Sequence, residues 1–466
     1  MSSFNTGLYG STLSSILSNV NDAFSGKTSG IDVSTVVSEL MQVERQPEVQ
    51  LQNQQSTISS QVSALTSIGS QLTTLYNSVN SLTDVLGAFS QNTTGSSDSS
   101  IVSATADSTA VAGTHTVTVD KLATTSSSYS GYISSGTSLA GQQIVVQYGS
   151  DPSNPLSTDT INIPSSDTTL QQAASSINSG SYGVTASVIT DSQGARLVLQ
   201  SKTSGASGNL TVNSSATNFT TSAGIDAQLT VDGVPVDSGS NTVTSAIPGV
   251  TLSLGAADAN TPVMISVEPD TSSASQAIQD FVTAYNAVVT SINQQYTLDS
   301  NGNEGVLAGD SMLRSLQSSL LGMVSSSSTG SGSYINLQSM GIEMQDDGTL
   351  QINSANLSQA LSSNYSDVQN FFQSTSGWGH LAGTEMQQLT DPTLGPVAAD
   401  INGLNQTSQG LTDQINDFEV QMSAVQDQLT TQYSNLDALL QQYPMQMQQV
   451  ASQLASLPST TTSSSS

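Results

Sequence analysis

Three features of this chain use residue types that do chemistry in other proteins. Gly26-Lys27-Thr28 has the ending of a phosphate-binding loop, in which backbone amides and a lysine cradle a nucleotide. The first glycine of such a loop would fall at position 21, which is Asn21, and no apolar strand leads into it, so the segment reads as a linker. Leu298 to Gly305 has the outline of a calcium loop: Asp299, Asn301 and Asn303 stand at ligand spacing, with Asp310 twelve positions along. The tight-turn glycine is replaced by Glu304, and the twelfth ligand is Asp in place of a bidentate Glu, which favours an Asn/Gly turn. The two histidines, His115 opening a strand and His380 in the loop Gly377-Trp378-Gly379-His380, lie in no zinc spacing and read as surface groups. No G-x-S-x-G elbow accompanies the many serines. Acids are so plentiful that any two can be paired on paper as acid and base, and without geometry no pair is worth naming. With no Cys there is no disulfide, thiolate ligand or cysteine nucleophile. The expectation is a protein with no catalytic, metal or cofactor residues, and not an enzyme.

The charge balance narrows the classes further. Thirty-five Asp and Glu against six Lys and Arg give a formal net charge of -29 over 466 residues. That leaves no basic groove for phosphates, which excludes nucleic acid as a partner, and it disfavours anionic membrane surfaces. No run approaches the roughly 18 consecutive apolar residues of a membrane span. High net charge with 35% hydrophobic residues also occurs in disordered chains, but charged residues make up only 9% here. Composition leaves that question open, and periodicity decides it.

Both ends of the chain carry a helical period. From Ile58, apolar residues recur through Val62, Leu65, Ile68, Leu72, Leu75, Val79, Leu82 and Leu86 to Phe89 in steps of three and four. One helix over this span is about 48 Å long at ~1.5 Å per residue. Ahead of it, Asp32 or Ser34 can cap a helix that aligns Val36, Val37, Leu40 and Met41 and that Pro47 breaks. Near the other end, Ile401, Leu404, Ser408, Leu411, Ile415, Phe418, Met422, Val425 and Leu429 keep the same alternation. Tyr433, Leu436, Leu440, Tyr443, Met447, Val450, Leu454 and Leu457 carry the stripe on, and Pro444 is expected to kink or split that helix. An isolated helix cannot bury such a stripe. The inner portions, 58–89 and 401–436, predict a hairpin within the chain. The outer portions, 31–46 and 445–457, flank polar tails with little core nearby and predict contacts between chains.

Between Ser96 and Asp270 the period falls to two. Thr116–Val119, Ile144–Tyr148, Arg196–Leu199, Leu229–Val231 and Val250–Leu254 read as strands, and Asp232-Gly233 before Val234 is a two-residue hairpin turn. One helix, around Thr169 to Asn178, interrupts them. Helix returns over Ala274–Tyr296 and after Asp310, followed by a small hairpin at Ile342–Ile352 and short helices through Leu357–Leu361 and Val368–Phe372. The fold class is therefore α+β and multidomain: a helical-bundle leg from both chain ends, with antiparallel β head domains inserted between them. The N-terminus lacks the basic and apolar regions of a secretory signal, so a secreted destination calls for a route without a cleaved signal peptide.

The segment Gly30-Ile-Asp-Val-Ser-Thr-Val-Val-Ser-Glu-Leu-Met-Gln-Val-Glu-Arg-Gln-Pro47 closely resembles the start of the bacterial flagellar filament cap family, hook-associated protein 2 (FliD). The likeness continues through Ser103–Val119, Gly183–Leu199, Leu229–Val236, Ile247–Leu252, Phe281–Asn286 and Met340–Ile342, in the family's order. The chain departs from the family in its scarcity of Lys and Arg and in its Ser/Thr-rich end.

This resemblance implies a non-enzymatic cap at the distal tip of the extracellular filament, exported unfolded by the flagellar type III apparatus. It implies a homo-oligomer of about five subunits, with a plate of β head domains on helical legs that holds emerging flagellin while it folds and inserts. The implied partners are further copies of the chain, flagellin, the hook–filament junction proteins and a flagellar export chaperone, with no nucleic acid and no membrane insertion. The expected layout is a flexible N-terminal segment with an assembly helix (1–45), a leg helix (46–97) and the first part of a head β domain (98–130). An inserted second head domain (131–225), the rest of the first (226–271), a helical leg domain with a small hairpin (272–436), and a C-terminal assembly helix and tail (437–466) follow. Terminal helices that order only on assembly trade folding entropy for exchangeable contacts. The expected assembly stripe is Ile31, Val33, Val37, Leu40 and Met41 with Tyr443, Met447, Val450 and Leu454. Two other functions fit the same features: a tip adhesin whose head domains bind host glycan or matrix, and another axial junction protein.

Overall fold

The computed structural model describes residues 14, 17–18, 32–133, 138–328 and 332–455. Two helices come first, α1 (Val33–Glu44) and α2 (Gln46–Thr83). Asp32 caps α1, its carboxylate accepting from the Thr35 amide at 3.2 Å and the Thr35 hydroxyl at 2.7 Å. Pro47 stands at the start of α2, where its missing N–H costs no helical hydrogen bond. Only Arg45 separates the helices, and its guanidinium pairs with Glu48 at 2.8 Å. The predicted helix end at Phe89 is corrected to Thr83. The backbone turns extended at Asp84, whose carboxylate accepts from the Leu86 amide at 2.9 Å and holds a turn. Leu86 is left exposed, while Phe89 sits in a separate 3-10 turn and stacks on Phe372 with ring centroids 5.1 Å apart.

The chain then becomes all but continuous strand. It runs through β1 (Asn92–Ser96), β2 (Val102–Ala106), β3 (Gly113–Lys121), β4 (Thr125–Ser130), β5 (Gln143–Tyr148) and β6 (Ser157–Asn162) to helix α3 (Leu170–Ser179). Next come β7 (Val184–Asp191), β8 (Gly194–Ser204), β9 (Leu210–Ser214) and β10 (Phe219–Ser222). The series closes with β11 (Ala227–Val231), β12 (Val234–Ser238), β13 (Thr242–Ile247), β14 (Val250–Leu254) and β15 (Asp258–Pro269). All pairings are antiparallel, as the alternating pattern requires. Sheets β1-β15-β3-β11-β12 and β13-β14-β2 enclose one core, with Val117, Val119, Leu229, Leu252 and Ile265 buried in it. Sheets β10-β4-β8-β7 and β6-β5-β9, with α3, enclose a second around Ile144, Val146, Ile177, Leu197 and Leu199. A capping box fixes the start of α3, with Thr169 and Gln172 satisfying each other's backbone amides. Asp232 and Gly233 form the hairpin between β11 and β12, both with positive φ (50° and 82°), as the tight turn between paired Val231 and Val234 demands.

The chain returns to helix at α4 (Thr271–Tyr296), capped by Asp270, and α5 (Ser311–Ser325), capped by Asp310. Strands β16 (Ile342–Met344) and β17 (Leu350–Ile352) form the expected hairpin. Helices α6 (Ser354–Ser363), α7 (Tyr365–Gln373), α8 (Trp378–Leu389) and α9 (Pro396–Ala455) complete the chain. A third core collects Leu65, Ile68, Leu72, Leu75, Val79 and Leu82 of α2 with Ile278, Phe281, Tyr285 and Val288 of α4. Trp378 is fully buried there, stacked on Phe371 (5.8 Å, 3°) and donating its indole N–H to the Met323 carbonyl at 2.9 Å. The segment expected to be a loop at Gly377–His380 is thus the start of a helix, drawn into order by the indole, and His380 sits exposed on its first turn. Pro444 does not split α9, which continues as one helix about 90 Å long at ~1.5 Å per residue.

Candidate assembly interface

α9 lies antiparallel to the α2–α1 pair. Gly69 of α2 approaches Val397 so closely that a Cβ there would stand 3.5 Å from its Cγ1. Further along, Gln55 donates to the Thr412 hydroxyl at 2.7 Å. Beyond that, Val37 and Met41 of α1 are buried against Met422, with Val33, Phe418, Val425, Leu429 and Tyr433 packed around them. The inner stripes do form an intramolecular hairpin, and the α2 stripe also shares a core with α4 and α8.

The nine expected stripe residues separate. Val33, Val37 and Met41 come together, and Leu40 is half-buried on the same helix. The premise that 31–46 has no partner within its own chain is corrected: α1 seats on the 418–433 stretch of α9, because the three-and-four alternation there continues past the end of α2. Tyr443, Met447 and Val450 lie beyond this seat and are 67%, 67% and 56% exposed. Ile31 lies outside the described residues, and of Leu454 only the helical backbone is described. Phe418, Met422, Val425 and Leu429, which the sequence places in the hairpin with α2, pack against α1 instead. Their partner in α1 was legible only in the unbroken rhythm of the two stripes taken together.

Of the remaining chemical candidates, Gly26-Lys27-Thr28 lies outside the described residues, while the calcium-like stretch and His115 have structural tasks. Asp299 accepts from the amides of Asn301 and Asn303, both at 2.8 Å, and Asp310 accepts from the Met312 amide at 2.8 Å as the cap of α5. The calcium-like stretch is a turn followed by a helix cap. His115 is no mere surface group: its Nδ1 lies 2.7 Å from the Asp232 carboxylate, whose other oxygen accepts from the Thr116 amide at 2.8 Å. These contacts tie the β11–β12 turn to β3 and hold the Asp232 carboxyl below its ordinary range, the His115 hydrogen bond first.

One acid moves the other way. Asp400, near the start of α9, faces Asp310, and its Oδ2 is buried without a hydrogen-bond partner. Two ionised carboxylates offer each other acceptors and no proton. Burial first, then the neighbouring Asp310 carboxylate, push Asp400 up to about 6.

The chain matches models of known families over most of its length. The description "Flagellar hook-associated protein 2 C-terminus" fits residues 224–445, "Flagellar hook-associated protein 2 N-terminus" fits 29–126, and "Flagellin hook IN motif" fits 154–203. It is 29% identical over 418 residues to the B-type flagellar hook-associated protein 2 of Pseudomonas aeruginosa, covering 79% of this chain and 84% of that one. It is 28% identical over 448 residues to the flagellar hook-associated protein 2 of Escherichia coli K12, covering 89% and 94%. Among solved structures it resembles the D1-D2-D3 domains of the flagellar cap protein FliD from Escherichia coli. The TM-score is 0.58 at 27% identity, over 73% of this chain and 99% of that one. With the helical ends, the inserted antiparallel sheets and the two family models matching 29–126 and 224–445, the chain belongs to the flagellar hook-associated protein 2 (FliD) family.

Proposed function

We propose that this chain forms an oligomeric cap at the tip of the flagellar filament, where it retains exported flagellin and promotes its folding and insertion without catalysis. The observation that carries this reading is the exposed end of the α9 stripe. Tyr443, Met447 and Val450 continue the rhythm of the residues that seat α1, yet stand open to solvent. Singly exposed apolar residues need no explanation, but a stripe at helical spacing calls for a helix to cover it. Helices from neighbouring copies or from filament subunits supply that cover, while α1 keeps its seat on the 418–433 stretch of its own chain. The contact is small enough to break and remake, as a cap that advances with each added flagellin requires. Export runs through the flagellar type III apparatus with a dedicated chaperone, and the junction proteins provide the first seat.

Met447→Asp with Val450→Asp tests this, since both positions are exposed and charge there leaves the monomer's cores untouched. The expected result is a folded monomer that no longer supports filaments, with flagellin lost to the medium. Filaments of normal length on cells carrying only the double variant contradict the proposal.

A further inference from the structure

The outward face of the second head unit departs from the usual pattern. In the sheet β10-β4-β8-β7, Leu197 and Leu199 point into the core, so Arg196, Val198 and Gln200 point away from it. The register places Tyr129 opposite Val198 and Ile189 opposite Arg196 on that outer face. An outer face of an antiparallel sheet is ordinarily polar. Here Tyr129, Tyr132 and Ile189 are 37%, 40% and 58% exposed. The Arg196 guanidinium lies 3.6 Å from the centroid of the Tyr132 ring and 5.2 Å from that of Tyr129. Tyr132 is itself fixed by donating to Asp191 at 2.9 Å.

Arg196 is one of only six basic residues, and among the described residues its guanidinium has no hydrogen-bond acceptor and no salt bridge. Asp191 lies near enough to feel its charge but forms no ion pair with it. Stacking leaves the edge of the guanidinium free, and that edge is a planar fork of N–H donors matched to a carboxylate. Exposed tyrosines around an oriented arginine are also the side chains that dominate protein interfaces.

We propose that this platform of Tyr129, Tyr132, Ile189 and Arg196 docks a carboxylate-bearing surface of a second copy of the chain. Charge complementarity selects that occupant. Each copy carries 35 acidic residues and a net charge of -29, so copies repel one another unless local cations meet acids at the contact. Lys202, the neighbouring cation in this unit, is already engaged, donating to the Tyr182 carbonyl at 2.8 Å. The contact joins two different surfaces, which is the head-to-tail geometry that closes rings. It rests on the oligomeric reading above but concerns the heads, far along the chain from the terminal stripe.

The test uses the full chain. R196K keeps the charge and offers a primary amine to carbodiimide, which joins amines to carboxylates in contact. Mixing isotope-labelled and unlabelled R196K chains separates links between copies from links within one. The expected products are mixed-isotope peptides joining position 196 to an Asp or Glu. In parallel, R196Q should weaken assembly of the wild-type chain by about tenfold or more by sedimentation, with circular dichroism and melting unchanged.

Links confined to one chain, together with R196Q assembling as tightly as wild type, overturn the proposal. So does an anionic glycan that binds the wild type and not R196Q while assembly is unaffected. If the wild type itself remains monomeric at all concentrations, the oligomeric reading fails first. If it assembles and R196Q makes no difference, only the platform fails.

Discussion

Met41 of α1 and Met422 of α9 come from opposite ends of the sequence and are buried in the same small cluster, at 5% and 7% exposure. Among the described residues the cluster has three buried members, with half-buried side chains around it, and α1 also buries Val36; the main leg core gathers many more. Met41→Asp puts an unpaired carboxylate into this seat and should release α1, at a local cost of about 2–3 kcal/mol. Hydrogen exchange is the direct measurement. Amides of 33–44 should lose protection by tenfold or more, while those of β3, β8 and α4 keep theirs. Equal loss across all three cores would mean that α1 is integral to the fold and not a docked segment.

Trp378 is the chain's single tryptophan and lies at the centre of the leg core. Trp378→Phe keeps a ring against Phe371 and loses the indole bond to the Met323 carbonyl, which still accepts from the Ser326 hydroxyl at 2.7 Å, at a cost of about 0.5–1.5 kcal/mol. Trp378→Ala adds a cavity and should cost about 3–5 kcal/mol. Urea unfolding followed by circular dichroism should show a lowered midpoint for the helical transition. The β signal should persist, because the two head cores contain no residue of the leg core.

How legible was this fold? Where local chemistry dictates the backbone, it was open to reading: Asp232-Gly233 needs two positive-φ positions, Thr169 needs a capping partner in Gln172, and Arg196–Leu199 alternates. Periodicity failed where one residue overrode it. Leu86 and Phe89 keep helical spacing, but Asp84 closes a turn ahead of them. Pro444 carries the strongest local signal for a break, yet α9 runs through it as one helix. The stripe residues were visible as a stripe, but which partner each half meets depends on pairing elements at opposite ends of the chain. Asp400 was illegible for the same reason: nothing near it in sequence points to Asp310.

That pair makes stability depend on pH. The folded-state value of Asp400, about 6, lies above the ~3.9 of an unfolded aspartate. The folded state therefore binds its proton more tightly, and this contribution is complete below about 3.9 and lost as pH rises through about 6. The full shift would be worth about 3 kcal/mol, but the side chain is partly exposed and screening reduces it to about 1 kcal/mol.

The capping aspartates act in the opposite sense. Asp32 and Asp270 are held below the usual range, chiefly by side-chain hydrogen bonds from Thr35 and Ser273, so their contribution is present above about 3.9 and lost as pH falls further. Thermal melting should show greatest stability between about pH 4 and 5.5. Asp400→Asn, whose amide can donate to Asp310, should flatten the profile between pH 5 and 7 and raise stability at pH 7. A D400N chain with the wild-type slope would show that this pair does not set it.

Gold labelling of the protein on intact filaments, read by electron microscopy, tests most directly where it works. A label confined to the distal tip, together with loss of filaments and release of unassembled flagellin in cells lacking the chain, is the predicted result. Label distributed along the shaft or at the hook junction, or full-length filaments in cells without the chain, would contradict it.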